Sequence, residues 1–149
     1  MINAQDFFTH LLHEDDTVTK LLASDGGDPN IFEYPCEEEL MDNPGKPYII
    51  VQNTGTSQGE ITKDDSFDPF EDTTNIDVLC VADGKSEIKE LAGIARQAIA
   101  EAMDNFTYDD ASTFGFTLMS SSYSDNGVMF DVESGNYFVT LKYRIETSI

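Results

Sequence analysis

His10 and His13 stand one helical turn apart with Glu14 beside them, and two imidazoles with a carboxylate are the usual beginning of a zinc or transition-metal site. The spacing works against that chemistry. A zincin helix carries its histidines at i and i+4, whereas these lie at i and i+3 and no third ligand follows, so no metal is expected. Asp64, Asp65, Asp68, Glu71 and Asp72 present oxygen donors of the kind calcium requires. They lack the glycine and the closing glutamate of an EF-hand loop, and they read as a solvated, self-repelling segment. Ser120-Ser121-Ser122 offers hydroxyls, but no Gly-x-Ser-x-Gly elbow surrounds them and only the two N-terminal histidines are available as a base. The chain is therefore expected not to be an enzyme and to carry no cofactor.

The acids are better read in bulk. The sequence holds 29 Asp and Glu against 8 Lys and Arg, a formal net charge of −21 over 149 residues. Such a surface repels nucleic acid phosphates and anionic membranes, which excludes groove reading of DNA and lipid binding as expectations. Between Gly26 and Asn75 there are twelve acids and two bases, so nearly half of the charge deficit lies in one third of the chain. The excess serves solubility, or it lines a conduit through which DNA passes without sticking. With so many carboxylates a hydrolase using a carboxylate pair is an alternative, to be recognised by a concave pocket holding one carboxyl of raised pKa.

Cys36 and Cys80 are far apart and fit neither a metal spacing nor a disulfide framework, and Cys80 reads as a core residue. The start, MINAQDFF, has no basic region, apolar run or small-residue cleavage site, and no stretch approaches the ~20 apolar residues of a membrane span. Synthesis and folding in the cytoplasm are expected, and the Asn105-Phe106-Thr107 sequon is then accidental.

The elements that must position these residues follow from periodicity. Asn3 with Asp6 begins a helix whose apolar face is Phe7, Phe8, Leu11 and Leu12, continued by Val18, Leu21 and Leu22. Ile31-Phe32 and Tyr34 make a short strand, an acidic connector spans Glu37 to Asp42, and Pro47 opens a strand through Gln52. Gly55 to Thr73 shows neither helical nor strand period and is expected to be a long acidic loop. Ile76, Val78, Cys80 and Ala82 mark a central strand whose other face is only partly polar. After it, Ser86 caps a helix over 86–103 in which Ile88, Leu91, Ala95, Ala98, Ile99 and Ala102 recur at spacings of three and four. Phe106 to Thr113 reads as a loop and Phe114 to Met119 as a strand. Asn126-Gly127 reads as a type I′ hairpin turn, with outgoing strand Val128, Phe130 and Val132, and Tyr137 to Glu146 closes a three-stranded meander. The expected class is α+β, one domain over residues 1–149, with a mostly antiparallel sheet covered by the long helix and a second, N-terminal helix beside it or at one end.

Two groups are candidate subunit contacts. Phe67 and Phe70 on the polar loop either anchor it to its own domain or dock on a neighbour. Lys85, Lys89 and Arg96, three of the eight bases, lie with Glu87, Glu90 and Glu101 on the outer face of the long helix, where they face solvent or pair with acidic loops of a neighbour.

Several blocks occur in an order that resembles the tail terminator, or tail completion, proteins of long-tailed bacteriophages and prophages. They are the N-terminal helix, Ile31-Phe32-Glu33-Tyr34-Pro35, the proline-initiated strand Lys46-Pro47-Tyr48-Ile49-Ile50-Val51, the strand-helix unit from Ile76 to Met103, and the aromatic closing strand Tyr137-Phe138-Val139-Thr140-Leu141-Lys142-Tyr143-Arg144-Ile145. The resemblance spans nearly the whole chain, and the acidic segment 37–42 and the loop 55–73 are longer than the family's usual connections. It implies a non-catalytic virion component assembled in the host cytoplasm. Such a component is a homomeric ring, usually a hexamer, that caps the head-proximal end of the tail tube and meets the head-side connector. Another neck component, or an acidic monomeric inhibitor or immunity module covering a basic enzyme, are the alternative readings.

Overall fold

The fold is given by a computed structural model, which describes residues 3–23, 27–41, 45–58 and 72–148. It is α+β. Two short helices, α1 (Asn3–Glu14) and α2 (Asp16–Leu22), lead to β1 (Ile31–Glu33) and α3 (Glu37–Met41). Then come β2 (Tyr48–Gln58), β3 (Asp72–Ala82), α4 (Lys85–Asp104), α5 (Tyr108–Phe114), β4 (Thr117–Asp125), β5 (Met129–Asp131) and β6 (Asn136–Ser148). The sheet runs β1-β2-β3-β6-β4, with β5 also on β6. Every pairing is antiparallel except β1 with β2.

One face of this sheet is dry. Ile49, Val51, Ile76, Val78, Cys80, Val139, Leu141 and Ile145 alternate along their strands and are all buried, as the two-residue period of a pleated strand requires. Over them lies α4, which buries Ile88, Leu91, Ala95, Ala98 and Ile99. Alanines on that stripe let the helix approach both β3 and β6. Beside it α1 packs on β1, β2 and α4, so the N-terminal helix completes the same layer. Cys80 is fully enclosed there, and burial alone pushes its thiol up to about 12. The helix starts at Lys85, and Ser86 is not its cap: Gly84 is the N-cap residue and, having no side chain, makes no cap bond, while Ser86 lies inside the first helical turn.

Three expectations are corrected. The loop over 55–73 is shorter, since β2 continues to Gln58 and β3 begins at Asp72, pairing Gly55 with Asn75, Thr56 with Thr74 and Ser57 with Thr73. A slip between Asn53 and Gly55 and a 3.2 Å hydroxyl contact of Thr56 with Thr74 carry the ladder through polar residues that show no apolar alternation. Residues 59–71, with Phe67, Phe70 and the loop acids Asp64, Asp65, Asp68 and Glu71, lie outside the described residues.

The segment 106–113 is not a loop throughout. Thr107 accepts from the Asp110 amide and Asp110 accepts from the Thr107 amide, a reciprocal capping box that starts α5, and Gly115 at φ 78° ends it. Phe114 therefore belongs to the helix, and the next strand begins at Thr117.

Finally, there is no hairpin at Asn126-Gly127 and no meander. Both β4 and β5 pair along the same edge of β6, and three residues, 126–128, lie opposite two, Val139 and Thr140. Gly127 at φ 77° and an Asx turn, in which the Gly127 amide donates to Asp125 Oδ1 at 2.7 Å, make this a bulge in one long edge strand. The reversal comes at 132–135, where Gly135 takes φ 73°. The last third of the chain is thus one long two-stranded ribbon.

Candidate functional site

The helices α1, α2 and α4 cover one side of the sheet, and the pleat presents the other residues of each strand to the opposite side. Register fixes their rows. Tyr48, Val81, Phe138 and Met129 form one row across β2, β3, β6 and β5, and Ile50, Leu79 and Thr140 form the next. Then come Gln52, Asp77, Lys142 and Ser124, and after them Asn75, Arg144 and Ser122. Successive rows are about 6.7 Å apart. This back face is apolar toward the hairpin end and basic toward the other, with Lys142 and Arg144 exposed.

On the β2 side of the apolar rows stands α3. Between them is a cavity of about 380 Å³ lined by Tyr34, Cys36, Leu40, Ile50, Leu79 and Asp77 together with Glu37, Gln52 and Thr140. Burial raises the Asp77 carboxyl above its ordinary value, and Lys142 across the strand pair offsets part of that rise. Burial also raises the Cys36 thiol, helped by Glu39 and Glu37. A titration follows from Asp77. An acid whose folded pKa is raised lowers stability as pH climbs from about 4, where the unfolded carboxyl ionises, through the folded value. Asp77→Asn is therefore expected to melt above the parent chain at pH 7 and level with it below about pH 3.5. Equal melting temperatures at both pH values would show that Lys142 neutralises the burial.

The second surface is the ribbon tip. Phe130 is 51% exposed, Met129 47% and Val132 84%, beside Val128 at 38%. Phe130 lies on the helix side of the ribbon, its ring 4.9 Å from that of Tyr137. Asp131 and Glu133 follow it on either side of Val132, and the Asp131 carboxylate holds the turn by accepting from Ser134 Oγ at 2.8 Å and the Glu133 amide at 3.1 Å. These bonds keep the Asp131 carboxyl below its ordinary range.

Of the sequence candidates, Lys89 and Arg96 come together. They line a shallow groove between α4 and the edge bulge with Tyr123, Asp125, Gly127 and Val128. Arg96 is not simply an outward cation, because its guanidinium carbon lies 4.0 Å from the centre of the Tyr123 ring. Tyr123 in turn donates to Asp125 Oδ2 at 2.6 Å, and burial with this bond lifts its phenol to about 12. Lys85, on the first turn of α4, lines no part of this groove. His10 packs beside the Phe114 ring at 5.6 Å, and Ser120 to Ser122 are exposed on the edge strand β4.

Neither the back-face cavity nor the ribbon tip was singled out from sequence. The half-apolar outer side of the Ile76–Ala82 strand was the available sign of the first. For the second, Val128, Phe130 and Val132 carry the same alternation as a core strand, and only the pairing of both β4 and β5 to β6 reveals that nothing among the described residues covers them. Among the described residues no helix is long and apolar enough to cross a membrane. The chain matches no protein-family model and no curated protein sequence.

Proposed function

We propose that this protein is a structural component of a phage or prophage tail, a ring-forming terminator that caps the tail tube and presents a surface for head joining. One observation carries the reading: a single subunit carries two unlike surfaces, an exposed apolar ribbon tip with acidic flanks and, on the other side of the sheet, a cavity floored by half-buried apolar residues with two exposed bases beyond it. A ring closes when one patch of each subunit meets a different patch of the next, and unlike faces on one subunit are what that geometry uses. The charge of −21 per subunit fits a lumen to which DNA does not adhere. The blocks that resemble tail terminators coincide with α1, β1, the start of β2, the β3-α4 unit and β6. Its place is then the virion tail, after assembly in the host cytoplasm, with the tube and the head-side connector as partners and no nucleic acid sequence read.

Native mass spectrometry and negative-stain microscopy of the full chain, with and without purified tail tubes, test this. A ring, free or at tube ends, with arrested tube growth is the expected result; a chain that stays monomeric at high concentration and low salt and leaves tube growth unchanged would overturn it. A carboxylate-using hydrolase gains one supporting observation, the raised Asp77 carboxyl in a concave cavity. It is the weaker reading, because the nearest further acid on the cavity wall is Glu37, exposed on the five-residue α3.

A further inference from the structure

We infer that the contact between successive subunits is made by the ribbon tip of one copy, which lays Phe130 and Val132 onto the back face of the next, in the cavity between α3 and the Ile50-Leu79 row. The inference rests on the ring reading and gives it a specific joint.

Three observations select this occupant. The tip is apolar and exposed, and the side of it that carries Phe130 is the helix side of its own ribbon. The receiving surface is on the opposite side of the sheet, so one copy cannot satisfy both and two copies meet head to tail. A cavity of about 380 Å³ has room for an aromatic ring and a valine side chain, and its walls of Tyr34, Leu40, Ile50 and Leu79 are of matching chemistry.

Charge makes the match directional. In a chain with only 8 bases, two of them, Lys142 and Arg144, lie on the back face one and two rows beyond the apolar floor. The tip carries Asp131 and Glu133 on either side of Val132. Acidic flanks meet bases when Phe130 enters the cavity. Two tips brought together, or two acidic loops, would repel. Within the back face Lys142 is shared with Asp77 across the strand pair, which leaves Arg144 as the base best placed to receive Glu133.

The test uses two variants of the full chain, each broken on one side only. Phe130→Asp alters an exposed position of the tip, and Thr140→Glu puts an acid on the cavity lining, where it repels the acidic flanks of an incoming tip, parent or Phe130→Asp alike; circular dichroism and melting temperature verify that both remain folded. By sedimentation velocity and native mass spectrometry each variant alone is expected to self-associate about 100-fold more weakly than the parent, the scale of losing one buried aromatic anchor. Mixed, they retain one intact tip and one intact cavity, and the expected product is a one-to-one dimer that grows no further. Arg144→Glu weakens assembly and Glu133→Lys on the other copy restores it.

Four outcomes are distinct. The dimer from the mixture supports the joint. Rings formed by Phe130→Asp alone overturn the joint and leave the ring reading standing. Open chains built by the parent through this contact keep the joint and overturn the ring. A parent chain monomeric at all concentrations and on tubes overturns both.

Discussion

Replacing Phe7 by alanine is expected to lower the unfolding free energy by about 3–5 kcal/mol, the usual cost of deleting a buried phenyl ring. Phe7 is 3% exposed and sits at the centre of an aromatic cluster. Its ring meets Phe8 at 5.9 Å, Phe106 at 5.3 Å, Phe114 at 5.2 Å and Phe116 at 5.9 Å, all edge to face. Each such pair adds about 0.5–1.5 kcal/mol beyond area burial. The four partners come from α1 itself, the connection between α4 and α5, α5 and the entry to β4, so the cavity left behind has walls fixed by separate segments and collapses poorly. Against a total of about 5–15 kcal/mol this is a large share, and a fall in melting temperature of about 10 °C is expected for a chain of this size. Phe7→Leu, which refills most of the volume, should recover much of it. A loss under about 3 °C would mean that Phe106 and Phe114 close over the gap.

Raising sodium chloride from about 10 mM to 1 M, which shortens the screening length from about 30 Å to 3 Å, is expected to raise the melting temperature by roughly 5 °C. Salt has opposite effects on attractive and repulsive pairs, and this chain is unbalanced toward repulsion. Its net charge is −21, and among the described residues one ion pair closes, Lys46 Nζ to Asp83 Oδ1 at 3.3 Å. Both of its members are partly exposed, so the pair contributes at most about 1 kcal/mol. Screening therefore relieves much repulsion and costs little attraction. Lowering the pH toward the carboxylate range relieves the same repulsion while weakening the Asx turns at Asp125 and Asp131, whose carboxyls are held below their ordinary values by the bonds they accept. Their stabilisation is present above about pH 4 and is lost as pH falls through the lower folded values. A melting temperature that falls with salt would show that unrecognised attractive pairs dominate.

How much of this was legible in the residues depended on what kind of force shapes each element. The long helix was plain because Ile88, Leu91, Ala95, Ala98 and Ile99 must all reach one sheet, and burial leaves a period. The central strands were plain for the same reason. By contrast α5 buries no continuous stripe; hydrogen bonds between Thr107 and Asp110 and a glycine at positive φ define it, and these are local signals that an apolar count passes over. The outer halves of β2 and β3 are held by ladder bonds between Thr, Ser and Asn, so polarity was mistaken for a loop. Asn126-Gly127 carries hairpin chemistry, yet positive φ serves a bulge equally well, and only the shared partner β6 decides between them. Of the candidate contacts, Lys89 and Arg96 do share a groove with the bulge. The ribbon tip was read as strand because its alternation is that of a core strand turned toward solvent.

The bulge has a further effect on what this chain avoids. A long edge strand offers free amides and carbonyls to any other strand, a hazard wherever copies of a chain are concentrated. Here the edge slips register between Leu118 and Ser120 and again at 126–128, and its middle is Ser120 to Ser124 rather than valine and isoleucine. A second strand laid along it meets two breaks in the ladder and no apolar row to hold it. Crowded copies are thereby kept from stacking into amyloid-like fibres, and side chains rather than backbone are left to decide how they meet.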